Sequence, residues 1–355
     1  MATIDQGMQT GATRCRRCRP WLIWLVAAFA VASLTGCSAL DQATPDSTTP
    51  SSAPVGTFAP TAVASAGATP TTTATDLARV GPSASPDAPT TATATGAIRH
   101  VVVIWMENHE ATTVTSTSMP YLFGLSRTYG RADRYFAIRH PSLPNYLAFW
   151  AGSTEGVTND GTYNFTGASI SNQMVAAGLS WRTYAQDYPT TTGCHTGTTY
   201  AGGVDGWGVA GTYVRKHDPA MSFTYVSRSA QCANIRPLAR FDPNVNLAFV
   251  VPNLCNDMHD CSMAKGDAFL RAFVPHVLKA PDWVHTLLVI TFDEGTTSTN
   301  GGGRVFTVVA RAGLSGKVST ITHNHYALLR TVEQVFGLPC LHESCSASAM
   351  SEFLP

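Results

Sequence analysis

Ser142 lies in residues 139–146, a stretch whose residue types could support phosphate chemistry. Pro141 and Pro144 flank it, and because proline fixes its own backbone and restricts the residue before it, we expect the serine on a stiff turn. The apolar run after Pro144 predicts a helix. Ser142 would then lie at a helix N-terminus, where free N–H groups and the helix dipole favour anions. A phosphate-reactive hydroxyl is one interpretation, although taken alone the pattern favours a simple helix-capping serine.

Acidic and amide side chains follow three predicted strands directly. They are Glu107 and Asn108, residues 253–260, and Asp293 and Glu294. In open α/β sheets the chemistry lies at the carboxyl ends of the strands, so we expect these clusters to lie together, although each alone is also typical of loop and helix capping. Histidines gather at residues 323–325. Oxygen ligands with some imidazole suit a divalent cation, which would lower the pKa of a bound serine hydroxyl and neutralise a transferring phosphoryl group.

Alternating strand-like and helix-like segments must position these residues. Residues 98–106 are rich in β-branched side chains without alternation over 101–104, which predicts a strand buried on both faces of a parallel sheet. The same argument predicts strands over 245–251 and 286–292. Other segments predict strands over 132–138, 181–185 and 304–310, and helices over 119–129, 144–151, 168–177, 263–278 and 326–336. Residues 189–242, rich in Gly, Thr and Tyr, show no element by these criteria and are interpreted as an insertion near the mouth of the site.

Composition restricts the class of partner. Of the 355 residues 13% are charged, and the formal net charge is zero. A nucleic-acid-binding protein would show a basic face or stripe, so we predict no nucleic-acid partner. The hydrophobic fraction of 44% is ample for a core, and the globular character begins at residue 98. We therefore expect one catalytic domain over residues 98–355.

The first 97 residues are predicted to lie outside that domain. A basic region with four arginines precedes an apolar run at 21–32 that is short for a membrane span, which is typical of an export signal. The run ends in Leu-Thr-Gly-Cys, which resembles the bacterial lipobox. We expect a lipoprotein signal peptide at 1–36, lipidation of Cys37 and a protein anchored to the cell membrane outside the cytoplasm; an ordinary signal peptide or uncleaved anchor is the alternative. Residues 37–97, dominated by Ala, Thr, Ser and Pro, predict a disordered tether.

The nine cysteines divide according to this organisation. Cys15 and Cys18 would leave with the signal peptide, and Cys37 would carry the lipid. Six remain in the predicted domain, and an even number in an exported protein indicates disulfides. Fifteen connectivities are formally possible, and sequence proximity favours Cys255–Cys261 and Cys340–Cys345, which leaves Cys194–Cys232. A structural zinc site is the competing interpretation, disfavoured because no CxxC pair occurs outside the signal.

Five segments, taken in order, carry a resemblance to a known family. They are residues 106–109 (MENH), 140–146 (HPSLPNY), 252–259 (PNLCNDMH), 290–295 (ITFDEG) and 325–331 (HYALLRT). Together they resemble the bacterial phosphoesterase family of the alkaline phosphatase superfamily, which includes secreted acid phosphatases and phosphatidylinositol-phosphate phosphatases, with bacterial phospholipases C as relatives. Several motifs in order are far more specific than one. The resemblance implies an α/β fold, a three-layer αβα sandwich with a mostly parallel central sheet.

The resemblance also implies roles for individual residues. Ser142 would be the nucleophile and form a phospho-enzyme that water hydrolyses. The metal ligands would be Glu107, Asn108, Asp293, Glu294 and His325. Asp257 and His259 lie where relatives bind metal or protonate the leaving oxygen, and His259 is the expected general acid. Two-zinc relatives carry an aspartate at the position of Glu107 or Asn108 and a Pro-Asp where this chain has Pro252-Asn253. These departures favour a single divalent ion, whose identity the sequence does not give.

The sequence thus predicts metal-assisted hydrolysis of phosphate monoesters, with phosphoinositides or other small organic phosphates as substrates. A phospholipase C-type phosphodiesterase acting on phospholipid head groups is the first alternative, and it requires a pocket for a second ester group. A non-catalytic phosphate- or lipid-binding lipoprotein is the second, supported by the departures at Asn108 and Asn253. The membrane would be a partner through Cys37. His217 and Asp218 have nothing beyond their residue types to support a role in substrate contact.

Overall fold

The computed structural model describes residues 97–189, 194–201 and 211–355. The expected signal peptide, Cys37 and the tether up to residue 96 lie outside these described residues. Across the described ranges, no helix has both the length and the apolar character needed to cross a membrane.

An eight-stranded sheet forms the centre of the described chain. Its strands are β1 (His100–Met106), β2 (Gly130–Phe136), β3 (Trp181–Ala185), β6 (Ile235–Pro237), β7 (Leu247–Val251), β8 (Thr286–Phe292), β9 (Thr307–Ala310) and β10 (Lys317–Asn324). The order across the sheet is β10-β2-β9-β8-β1-β7-β3-β6, and every pair is parallel except the two that involve β9. Two short strands, β4 (Thr199–Ala201) and β5 (Thr212–Val214), form a separate antiparallel pair.

The three central strands β7, β1 and β8 carry the core. Every residue of these strands is buried, which matches their largely apolar sequences. Ile104 of β1 pairs with Val250 of β7 on one side and Ile290 of β8 on the other. Because the strands are parallel and in register, the residues that follow them emerge side by side at one edge of the sheet.

Helices cover both faces of this sheet. They are α1 (Pro120–Thr128), α2 (Ser142–Ala151), α3 (Ile170–Ala176), α4 (Thr224–Ser227), α5 (Met263–Leu278) and α6 (His325–Phe336). Helices α1 and α5 pack against each other, and α2 packs against α6 and α3. Since the central strands are buried on both faces, these two groups form the outer layers. The expected α/β fold, an αβα sandwich with a mostly parallel central sheet, is confirmed.

Three differences from the sequence interpretation affect the site. Helix α2 begins at Ser142, two residues before the predicted start, and α6 begins at His325. Strand β10 was not predicted, because a register shift between Ser319 and Thr322 breaks the alternation of its side chains. The segment 189–242 contributes β4, β5, α4 and β6, together with a short 3-10 helix, Arg215–His217.

Three disulfides join the six cysteines of the described domain. The pairs are Cys194–Cys232, Cys255–Cys261 and Cys340–Cys345. This is the pairing that sequence proximity favours. The Cys255–Cys261 bridge closes the loop that follows β7, so it constrains the segment that carries Asp257 and His259.

Candidate active site

Three buried carboxyl groups meet at the carboxyl edge of the central strands. Glu107 follows β1, Asp293 follows β8, and Asp257 lies in the loop after β7. Each is at most 1% exposed. The backbone of the loops joins them, because Glu107 N donates to Asp257 O at 2.9 Å and Asp293 N donates to Met106 O at 2.9 Å. The convergence of strand-end acids expected from the sequence is present.

Helix α2 presents two hydroxyl groups to Glu107. Ser142 Oγ donates to Glu107 Oε2 at 3.0 Å, and the hydroxyl of Tyr146 donates to Glu107 Oε1. The two residues are four positions apart, so they lie on the same face of the helix. Pro141, not Ser142, occupies the N-cap position, and the serine is the first residue of the helix. The Ser142 hydroxyl is therefore directed at an acid and does not cap the helix.

Asn145 fixes the turn that leads into α2. Its Oδ1 accepts hydrogen bonds from Ile138 N at 2.9 Å and Arg139 N at 3.2 Å, and its Nδ2 donates to Arg139 O at 2.7 Å. Asn145 is fully buried, so these bonds are shielded from water. The side chain thus holds the stiff turn expected from the two prolines and sets the position of Ser142.

His217 completes the cluster from the segment in which no element was predicted. Its Nε2 lies 3.1 Å from Glu107 Oε1, and its Nδ1 lies 3.2 Å from Asp257 Oδ2. The ring stacks on Tyr146 with centroids 5.1 Å apart and planes inclined by 6°. His217 is completely buried, so its position between two acids is fixed by packing.

The electrostatics of this cluster favour a bound cation. Burial raises the pKa of Glu107 well above its usual range, and the charges of Asp293 and Asp257 raise it further. Burial likewise raises the pKa of Asp257 and of Asp293. Burial lowers the pKa of His217 well below its usual value, so the imidazole is neutral, which is its metal-binding form. A cation would relieve the repulsion that disfavours the charged carboxylates.

The geometry of Glu107, His217 and Asp257 fits a single divalent ion. One ligand atom from each lies within 4.8 Å of the others. Two atoms that share a cation at about 2.1 Å lie roughly 3 to 3.4 Å apart, so the three side chains would move closer together around the ion, and His217 would bind it through one ring nitrogen only. Among the described residues, both ring nitrogens of His217, Asp257 Oδ2 and Asp293 Oδ2 are buried without a hydrogen bond, because the short contacts of His217 lack hydrogen-bond geometry. Asp257 Oδ2, Asp293 Oδ2 and the unprotonated ring nitrogen of His217 are therefore available to such an ion.

The other expected metal ligands occupy different positions around this cluster. Asn108 donates its backbone N–H to Asp293 Oδ1 at 3.0 Å from a left-handed conformation with φ of 56°. Glu294 Oε2 lies 3.0 Å from His140 Nδ1 and 3.4 Å from Asn145 Nδ2. Burial and the charge of Asp293 raise the pKa of Glu294 to about 8. Glu294 therefore borders the cluster on the side of the turn before α2.

His325 supports the cluster from behind. Its Nε2 lies 2.6 Å from the carbonyl oxygen of Asp293, and its Nδ1 lies 3.1 Å from the hydroxyl of Tyr135. The ring also packs on Trp105, with centroids 4.8 Å apart. Both ring nitrogens therefore have partners among the described residues, and His325 supports the backbone of Asp293.

His259, the expected general acid, lies at the exposed rim of the cluster. Its ring centroid is 5.8 Å from that of His217, and its Nδ1 lies 2.7 Å from Asp260 Oδ1. The His259 backbone N–H donates to Asp257 Oδ1 at 2.8 Å, which ties the rim to the buried acid. A group in this position can exchange protons with solvent, as a general acid must.

A lysine and an aspartate add a charged pair near the nucleophile. Lys216 Nζ donates to Asp160 Oδ2 at 2.8 Å, and Leu143 N donates to Asp160 Oδ1 at 3.0 Å. Burial disfavours the charged form of Lys216, but its hydrogen bond to Asp160 and nearby carboxylate charges raise its pKa overall. Both side chains keep part of their surface in solvent. The pair therefore lies between solvent and the first turn of α2.

Sequence reasoning assigned no role to Lys216, Asp160 or Tyr146, and it considered His217 for substrate contact on its residue type alone. The four-residue spacing of Tyr146 from Ser142 on a predicted helix was an available signal, because it places both on one face. No comparable signal exists for His217 and Lys216, which lie in a segment without periodicity and reach the site through long-range packing. Asp160 lies in an irregular loop after α2, and its residue type alone predicts a loop cap.

This chain is similar to several known proteins. Residues 105–339 match the model of the Phosphoesterase family. A phosphatidylinositol-3-phosphatase of Mycobacterium tuberculosis is 33% identical over 253 residues, which cover 68% of this chain and 77% of that protein. A phosphate-repressible acid phosphatase of Penicillium chrysogenum is 28% identical over 297 residues, which cover 79% of this chain and 69% of that protein. A solved alkaline phosphatase superfamily structure from Vibrio parahaemolyticus aligns with a TM-score of 0.46 and 12% identity, over 73% of this chain and 72% of that chain.

The family match extends over more than half of the chain and includes the three strand ends and the turn before α2. The expected class of enzyme, a hydrolase that acts on phosphoric ester bonds, is confirmed by the family and by relatives that are named phosphatases. The chain belongs to the phosphoesterase family.

Proposed function

We propose that this domain hydrolyses phosphate monoesters through a phosphoserine formed on Ser142. The observation that carries the proposal is the 3.0 Å hydrogen bond from Ser142 Oγ to Glu107 Oε2, a buried acid at the carboxyl edge of the sheet. A serine becomes a nucleophile when a neighbouring base can take its proton. The names of the relatives from M. tuberculosis and P. chrysogenum, both phosphatases, support a monoester as the substrate.

In the first half of the reaction, Ser142 Oγ attacks phosphorus and its proton passes to Glu107 Oε2. The bond between phosphorus and the alcohol oxygen breaks, and His259 at the rim donates the proton that the alcohol oxygen needs. In the second half, water attacks the phosphorus of the phosphoserine while His259 takes a proton from that water. The bond from phosphorus to Ser142 Oγ breaks, Glu107 returns the proton to the serine, and inorganic phosphate leaves.

A divalent cation held by Glu107, His217 and Asp257 would supply positive charge that favours the ionised serine and offsets the charge of the phosphoryl group. Tyr146 keeps Glu107 in place by its hydrogen bond to Oε1. Asp293 adds a further carboxylate at the same edge, and His325 holds the Asp293 backbone. These residues orient the nucleophile and its base relative to each other.

An assay with simple aryl esters tests the proposed activity. We expect the protein to release phosphate from an aryl phosphate monoester in the presence of a divalent ion, to lose that activity after chelation, and to cleave a bis-aryl phosphodiester more slowly. The reason is that the relatives are named as phosphatases. Faster cleavage of the diester would favour the phospholipase C-type alternative. An inert protein with every divalent ion tried would favour a phosphate- or lipid-binding role.

The proposal includes export and a lipid anchor at Cys37. Its support is the order of a basic region, an apolar run and the Leu-Thr-Gly-Cys sequence, followed by a Ser/Thr/Pro-rich tether over residues 37–97. Three disulfides in the described domain suit an oxidising compartment outside the cytoplasm. The catalytic domain, residues 98–355, would then act at the membrane surface on a small phosphate ester or a phospholipid head group.

Replacement of the expected lipid acceptor tests the anchor. Cys37→Ala is expected to move the protein from the membrane fraction to the soluble fraction, because the thiol that carries the lipid is absent. Cys15→Ala is the matched control and should leave the protein in the membrane fraction, since Cys15 lies within the signal peptide. Fractionation followed by immunoblotting measures both. Retention of the Cys37→Ala protein in membranes would contradict lipidation at this residue.

A further inference from the structure

The N-terminus of α2 offers few hydrogen-bond donors to a phosphoryl group. A helix leaves the N–H groups of its N-cap and first three residues without partners inside the helix. Here the N-cap is Pro141 and the third residue is Pro144, and neither has an N–H. The N–H of the second residue, Leu143, donates to Asp160 Oδ1 at 3.0 Å. Of the four positions, only Ser142 has an N–H that a substrate could use.

The substrate adds negative charge to a site that the carboxyl groups of Glu107, Asp257 and Asp293 already line. A phosphate monoester brings up to two more negative charges. With a weak helix N-terminus, the phosphoryl oxygens need another positive group close to Ser142.

Lys216 meets this requirement by its position. It precedes His217 in the chain, and Asp160 links it to Leu143, the residue after the nucleophile, through contacts of 2.8 Å and 3.0 Å. An ammonium group has three N–H donors, and Asp160 uses one of them. The remaining donors are available to phosphoryl oxygens, since the Lys216 side chain is 21% exposed.

A cavity of about 210 Å³ opens next to this pair. Its lining includes Asp160, Thr162, Thr199, Lys216 and Ser222. One of the lining residues, Asp160, also accepts a hydrogen bond from the backbone N–H of Leu143, the residue after the nucleophile. A substrate that reaches Ser142 from this side would pass Lys216.

We propose that Lys216 binds the non-bridging oxygens of the substrate phosphoryl group and that Asp160 is the positioning residue that holds Lys216 beside Ser142. This inference rests on the proposed phosphomonoesterase function and adds a binding residue to that site. Lysine is a common phosphate-binding residue because its ammonium group is a compact point charge. Asp160 fixes that charge relative to the nucleophile by bonding both Lys216 and the first turn of α2.

Binding of inorganic phosphate, the product, tests the proposal without turnover. Calorimetric titration of the Ser142→Ala full-length protein with inorganic phosphate, at a constant concentration of one divalent ion, gives a reference Kd. Adding Lys216→Met should weaken phosphate binding roughly ten- to hundredfold, the range expected for hydrogen bonds from a charged group. Lys216→Arg should retain most of the affinity because it keeps the charge. Asp160→Asn should weaken binding less than Lys216→Met, since the lysine remains.

Lys317→Met is the matched control. Lys317 is exposed and begins β10, a strand parallel to β2, so it lies at the opposite edge of the sheet from Ser142. Its replacement should leave the Kd for phosphate unchanged. If Lys216→Met does not fold, as judged by circular dichroism, Lys216→Gln takes its place in the same titration. An unchanged Kd in a folded variant without the Lys216 charge would overturn the proposal.

Steady-state assays with an aryl phosphate separate this inference from the proposed function. With Ser142 intact, Lys216→Met should raise KM and the inhibition constant of inorganic phosphate, and Lys216→Arg should restore both. If the unmodified protein turns over and Lys216→Met leaves KM and the inhibition constant unchanged, the role of Lys216 is overturned and the proposed function stands. If the protein shows no turnover but its binding of phosphate depends on Lys216, the role of Lys216 is supported and the proposed function is contradicted.

Discussion

Ser142→Ala is expected to lower kcat/KM for an aryl phosphate by about a thousandfold or more, because removal of a nucleophile abolishes the covalent route. The substitution removes one hydroxyl whose partner is Glu107 Oε2 at 3.0 Å. KM should change less than kcat, since the groups that bind the phosphoryl oxygens remain. Steady-state kinetics with the unmodified and substituted proteins measure the effect.

Ser126→Ala is the matched control for this substitution. Ser126 is also a buried helical serine, and its Oγ donates to Phe123 O at 2.7 Å within α1. Its loss should leave the kinetics unchanged, because α1 does not contribute to the cluster of acids. Full activity in Ser142→Ala would contradict the assignment of the nucleophile, although the enzyme class would stand.

Asp257→Asn is expected to stabilise the metal-free protein and to abolish most of the stabilisation by a divalent ion. Burial raises the folded-state pKa of Asp257 well above the ordinary value of 3.8. At pH values above 3.8, Asp257 is ionised in the unfolded chain but still protonated in the folded protein. The free energy of unfolding of the metal-free protein therefore falls as pH rises, by up to about 1.4 kcal/mol per pH unit, until the pH reaches the folded-state pKa. Asparagine removes this penalty, so Asp257→Asn should raise the free energy of unfolding of the metal-free protein more at pH 7 than at pH 4.

The same substitution removes a ligand from the proposed cation site. A divalent ion at a hundredfold excess over its Kd should stabilise the unmodified protein by about 2.7 kcal/mol, and Asp257→Asn by much less. Denaturant unfolding with chelator and with added ion measures both effects. Asp133→Asn is the control, since Asp133 is 37% exposed and pairs with Arg131 away from the cluster; it should change stability by less than about 0.5 kcal/mol. Equal stabilisation of the unmodified and Asp257→Asn proteins by the ion would contradict this site.

The central part of the fold could be predicted from the sequence because burial on both faces leaves a clear signal. The sequence of β8 is apolar without interruption apart from threonines, and its predicted bounds, Thr286–Phe292, are those observed. Strand β10 has no such signal. Val318 and Ile321 are exposed, and the register shift between Ser319 and Thr322 changes the face on which the side chains lie.

The site could be predicted only as far as strand order determines it. Glu107 and Asp293 follow neighbouring parallel strands, so their convergence follows from the sheet alone. His217 reaches the same point from a segment without regular periodicity, and its position depends on the packing of its ring against Tyr146. The direction of the His325 ring depends on its contacts with the Asp293 carbonyl and the Tyr135 hydroxyl, which the local sequence does not specify.

Trapping of the covalent intermediate tests the central claim most directly. The protein is mixed with an aryl phosphate, quenched in acid during turnover and digested, and the peptides are analysed by mass spectrometry. The proposed mechanism predicts that the peptide containing Ser142 gains the mass of one phosphoryl group, that fragmentation places the group on Ser142, and that Ser142→Ala shows no such peptide. Turnover without any phosphorylated peptide, or a phosphoryl group on another residue, would contradict a phosphoserine at Ser142.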